Sequence, residues 1–78
     1  MNAYRLRIWT GPIAVTTIAS AIRQCGYQNV VEGTEHVHVT AEGSEPSAAF
    51  HNLCADLLQT HRTDFGLRWY ESLRRVDY

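Results

Sequence analysis

The chain has no lysine: all seven of its basic residues are arginine. It has only two cysteines and two prolines. Nowhere does it hold a run of about 18 apolar residues, the length a membrane-spanning helix needs. Each shortage excludes something. Two cysteines allow at most one intramolecular bridge, so the chain is not a disulfide scaffold. Without an apolar run no membrane span is expected. Residues 1–7 carry charge and no apolar h-region, so no secretory leader is expected and the cytoplasm is the expected setting. Acid and base nearly cancel, at a formal net charge of −1. That speaks against a coat for nucleic acid and equally against an acidic mimic of one.

The missing lysine has two readings. Guanidinium groups stack on aromatic rings and grip carboxylate or phosphate with a fork, which suits a binding face. Arginine and alanine codons are both GC-rich, however, and the chain is rich in alanine. Codon habit is the preferred reading, and it points to a bacterial or phage source. The placement of charge is more informative than its type. Residues 1–31 carry Arg5, Arg7 and Arg23 and no acid, whereas 32–45 carry Glu32, Glu35, Glu42 and Glu45 and no base. Charge of opposite sign is therefore separated along the chain.

Seventy-eight residues leave room for one domain, taken as 1–78. A chain of this size buries about 60–65% of its unfolded surface, so its stability is thin unless something covers it further. Residues 3–9 alternate, Tyr4, Leu6 and Ile8 against Arg5, Arg7 and Trp9, as a half-buried strand does. Pro12 suits the first turn of a helix. Val15, Ile18, Ala19, Ile22 and Cys25 then follow helical spacing up to a stop at Gly26. Residues 28–32 and 35–41 read as a hairpin around Gly33. Ser44 is the expected N-cap of a second helix, whose apolar face runs through Ala49, Phe50, Leu53, Cys54, Leu57 and Leu58. Phe65, Leu67 and Trp69 alternate, and aromatic enrichment favours a strand over 65–71, with 72–78 frayed or a short turn.

The order β-α-β-β-α-β predicts an α+β fold of the split, ferredoxin-like kind. In it a four-stranded antiparallel sheet carries two helices on one face. The runner-up is a three-stranded sheet with a third, C-terminal helix. In the preferred fold Tyr4, Leu6, Ile8, Val37, Val39, Leu67 and Trp69 face the helices. The open face then gathers Arg5, Arg7 and Trp9 with His36, His38, Thr40, Arg68 and Tyr70, and no acid among them. Glu32 reaches its edge in one of the registers open to the second strand.

Arg, Trp and Tyr are enriched in interface hot spots. The expected function is therefore a small non-catalytic interaction module, an adaptor, inhibitor or regulator. It would bind a protein partner, or itself as a homodimer, through Arg5, Arg7, Trp9, His36, His38, Arg68 and Tyr70. The alternative is single-stranded nucleic acid, with aromatics stacking bases and arginines holding phosphates. Near-neutral charge counts against it.

No cofactor and no catalytic residue is expected. His36 and His38 stand on one side of a strand, about 6–7 Å apart, but a metal site needs a third and usually a fourth ligand. His51 and Cys54 would lie behind the sheet. Cys25 and Cys54 fall on the buried helix faces as small hydrophobes, within possible reach of each other. Gly11 is a single glycine followed by Pro12, which lacks the N–H a phosphate-cradling loop uses. Asp64-Phe65-Gly66 is a chance tripeptide in a chain too short for a kinase.

Overall fold

The computed structural model describes residues 2–65 and 72–76, and only the backbone for 61–65. Its elements run β1 (Asn2–Trp9), α1 (Val15–Gln24), β2 (Val31–Glu32), β3 (His36–Gly43), α2 (Pro46–Phe65) and β4 (Arg74–Arg75). The four strands form one antiparallel sheet in the order β2-β3-β1-β4. The protein is thus a small α+β fold with a four-stranded antiparallel sheet and two helices. Among the described residues, no helix is long and apolar enough to cross a membrane.

The sheet is built around β1 and β3, which pair along their whole length from Asn2–Gly43 to Trp9–His36. Alternation decides what each strand buries. Leu6 and Ile8 of β1, with Val37, Val39 and Ala41 of β3, join Ile18, Ala19 and Ile22 of α1 and Ala49, Leu53 and Leu57 of α2 in one buried cluster. Tyr4 packs at its margin. Both helices therefore cover the same side of the sheet, and the hydrophobic period of each element is satisfied by one core.

Four elements depart from expectation. α1 begins at Val15 rather than at Pro12, which sits in the turn before it, and Ala14 occupies the N-cap position without a side-chain cap. Its end is as the sequence indicates: Gly26 has φ +96° and its N–H donates to the carbonyl of Arg23. β2 has two residues rather than five. Asn29 adopts φ +57°, which breaks extension before Val31, and Val30 turns into the core margin.

α2 starts with Pro46, so Ser44 lies one position outside the cap, and its carbonyl accepts a hydrogen bond from the Tyr4 hydroxyl at 3.2 Å. The helix then runs to Phe65, because no glycine or proline interrupts the chain between Pro46 and Gly66. The strand expected over 65–71 is corrected at Phe65, which is helical; 66–71 lie outside the described residues. The fourth strand falls instead at Arg74–Arg75, within the segment expected to be frayed or a turn. Buried Leu73 anchors it, and Val76 N–H donates to the Arg7 carbonyl at 2.8 Å.

Candidate functional site

The side of the sheet away from the helices is set by register. Directly opposed residues share a face, so the pairs Trp9–His36, Arg7–His38 and Arg5–Thr40 lie together on the side opposite Leu6, Ile8, Val37 and Val39. The pair Trp9–Arg74 adds Arg74 from β4, and Val31–His38 adds Val31 from β2. The structure thus brings Arg5, Arg7, Trp9, His36 and His38 onto one face. Arg68 and Tyr70 lie outside the described residues.

Two members of this face escaped the sequence reading. Val31 stands in a Val30-Val31 pair whose inward member periodicity alone does not choose. Arg74 sits in a segment with no strand signature. The expectation of a face without acid is also corrected. Glu32 turns to the helix side, where its carboxylate accepts from Thr16 Oγ1 at 2.9 Å and Arg23 Nη1 at 3.0 Å. Glu42, however, shares the open face at its far end, opposite Ala3.

The apolar content of the face is concentrated. Among the described residues the exposed large hydrophobics are Trp9, at 39% exposure, and Val31, at 51%. Both belong to this side, flanking the His36–His38 row. Arg5 is partly committed within the fold: its Nη1 donates to the Asn29 carbonyl at 2.6 Å and to Thr40 Oγ1 at 3.2 Å. It bridges β1 across β3 to the loop before β2. Partial burial pushes His38 below the ordinary imidazole value, and the positive charges of Arg5, Arg7 and His36 push it further down. At neutral pH His38 therefore adds little to the charge that the arginines bring to this face.

No group of three or more His, Cys, Asp or Glu suited to a metal occurs among the described residues. Cys25 and Cys54 are both free and half-buried. Burial pushes the Cys54 thiol up to about 11. It also raises Cys25, where the nearby Asp56 charge adds to the effect. Thiols held this high form little thiolate at neutral pH, the opposite of an activated nucleophile.

A separate concavity of about 470 Å³ lies at the outer edge of β3, between Thr40, Ala41 and Glu42, the loop over 26–29, and Asn52 and Asp56 of α2. Tyr27 OH donates to Asp56 Oδ2 at 2.6 Å across its floor. Burial, followed by that bond, drives the Tyr27 phenol well above its usual value. Compared with protein-family models, curated proteins and solved structures, the chain matches none.

Proposed function

We propose that this protein is a non-catalytic interaction module whose open sheet face docks on another protein. The observation that carries this reading is the coincidence of Trp9 and Val31, exposed hydrophobics on the same face, with the His36–His38 row between them and Arg7 and Arg74 beside them. A tryptophan set among arginines matches the residue types enriched where interfaces bind most tightly. The matching surface presents apolar side chains bordered by carboxylates. A homodimer is the self-associating form of the same reading, and adaptor, inhibitor or regulator are the roles open to such a module. The strand order β2-β3-β1-β4 supports the ferredoxin-like description of the fold, which by itself assigns no function. Two free thiols suit the reducing cytoplasm, and an arginine-only, alanine-rich chain suits a bacterial or phage source.

Single-stranded nucleic acid would use the same arginines and Trp9. The protein reading is preferred because Val31 offers nothing to a base or phosphate and the net charge is −1.

The test compares wild type with Trp9→Ala and Val31→Ser as immobilised baits. Both positions are exposed, so circular dichroism should be unchanged while proteins retained by the wild type are lost. Equal retention by all three baits would show that another surface binds. A salt-sensitive gel shift with single-stranded RNA or DNA at low micromolar protein would transfer the face to the nucleic-acid reading.

A further inference from the structure

We infer that the outer edge of β3 over 40–43 is a second docking site, which takes an extended, basic segment of a protein partner by strand addition. The backbone directions follow from the hairpin. Gly33 N–H donates to the His36 carbonyl at 2.7 Å, so His36, His38, Thr40 and Glu42 aim their backbone groups at the β2 side, while the residues between them aim at β1. β2 covers this edge only at Val31–His38 and Glu32–Val37. The chain before it leaves extended geometry at Asn29, with φ +57°, and Arg5 Nη1 joins the Asn29 carbonyl to Thr40 Oγ1 on the open side of the sheet.

Beyond His38 the edge is therefore open. The Glu42 carbonyl is taken by Asn52 Nδ2 at 3.2 Å. The Thr40 N–H, the Thr40 carbonyl and the Glu42 N–H make no backbone bond to a strand or loop among the described residues. They border the 470 Å³ concavity, which is wide enough for a side chain beside an added strand. A sheet edge of this kind is a template for one more strand.

Charge selects the occupant. Among the described residues the charged side chains lining the concavity are Glu42 and Asp56, and Arg5 reaches its rim at Thr40 and Asn29 from the open face. Neither carboxylate has an ion-pair partner among the described residues, where Arg23–Glu32 is the pair present. In an incoming strand, two successive lysines or arginines fall on opposite sides of the sheet. One cation is then placed by Glu42 on the open side and the next by Asp56 on the helix side, while the backbone meets Thr40 and Glu42. The Trp9–Val31 end of the open sheet face carries arginines instead, so the two sites would take different partners.

The experiment uses the full chain and a fluorescent ten-residue peptide in which pairs of lysines alternate with pairs of valines, so that lysines fall on both sides of the added strand. A control peptide of the same composition carries N-methyl groups at alternate backbone nitrogens. Anisotropy should report binding of the unmodified peptide, weakened at least ~10-fold by Glu42→Gln combined with Asp56→Asn and lost with the N-methylated control. Trp9→Ala should leave it unchanged, which separates this site from the open face. Amide resonances of Thr40 and Glu42 should shift on titration in ¹⁵N spectra. Equal binding of the two peptides would reduce the effect to charge alone and overturn strand addition. Absence of binding up to millimolar peptide would overturn the site. A doubled mass of the chain alone, reduced by the Glu42 and Asp56 changes, would overturn the basic partner in favour of a second copy.

Discussion

At the scale of single residues, close approach and hooking count for more than chemistry. Gly43 ends β3 where the first turn of α2 crosses it. A Cβ there would lie 2.5 Å from the Ala49 nitrogen and 2.9 Å from its Cα. Both are backbone atoms that no rotamer change can move. Gly43→Ala should therefore force α2 off the sheet and lower stability by about 1–3 kcal/mol. Urea unfolding measures this, and a variant as stable as wild type would show that the helix seats elsewhere. Arg5 illustrates the second theme. It looks like a free cation on a binding strand, yet it ties the Asn29 carbonyl and Thr40 together. Its residual charge remains on the face while its geometry serves the β2 loop.

At the scale of elements, β2 is a short edge strand of two exposed residues. Its attachment to α1 comes from Glu32, held by Arg23 and Thr16, while Arg23 Nη2 also donates to the Val30 carbonyl at 2.9 Å. The hydrogen bonds from Arg23 and Thr16 hold the Glu32 carboxyl below its usual value. Because the folded value is depressed, the unfolded chain binds the proton more readily. The contribution of Glu32 is present above the usual glutamate value of ~4.3 and is lost as pH falls through its folded value. Denaturation midpoints measured from pH 6 to pH 3 should thus fall more steeply for wild type than for Glu32→Gln. His38 is also depressed, so the cost of charging it in the folded state grows as pH falls below the ordinary imidazole value of ~6.5, and stability falls there too. Both proteins carry His38, so the difference between them isolates Glu32. Parallel curves would mean that the Arg23–Glu32 contact does not bear on folding.

For the whole molecule, one helix layer covers one side of the sheet. A chain of this size gains from covering the other. Two copies meeting through the open face would bring Arg7 and Arg74 of each near their counterparts, so self-association should strengthen as salt screens like charges. An acidic partner would instead be held less tightly at high salt. Light scattering after gel filtration should give a mass above 8.9 kDa at raised salt, returning to the monomer value in Trp9→Ala. A monomer at every salt concentration would remove the homodimer and leave the acidic protein partner as the occupant.

Local pattern alone was enough for β1, for the core stretch of β3 and for the buried faces of both helices. Each is written in a period of 2 or 3.6 that one core satisfies. The presence of Arg5, Arg7, Trp9, His36 and His38 on one side follows from that same period. Apart from the stop of α1 at Gly26, register and ends were not legible, because they are settled by contacts distant in sequence. Whether Val30 or Val31 turns inward depends on α1 lying beneath β2. Whether 65–71 or 74–75 supplies the fourth strand depends on how far α2 runs before Leu73 can be buried. Sequence thus determined which residues are available to bind, through the alternation of side chains. Tertiary structure decided that Trp9 and Val31 share a face with Arg74, that Glu32 leaves it, and that the β3 edge stays open. Each of those outcomes is a pairing between strands, which no local period encodes.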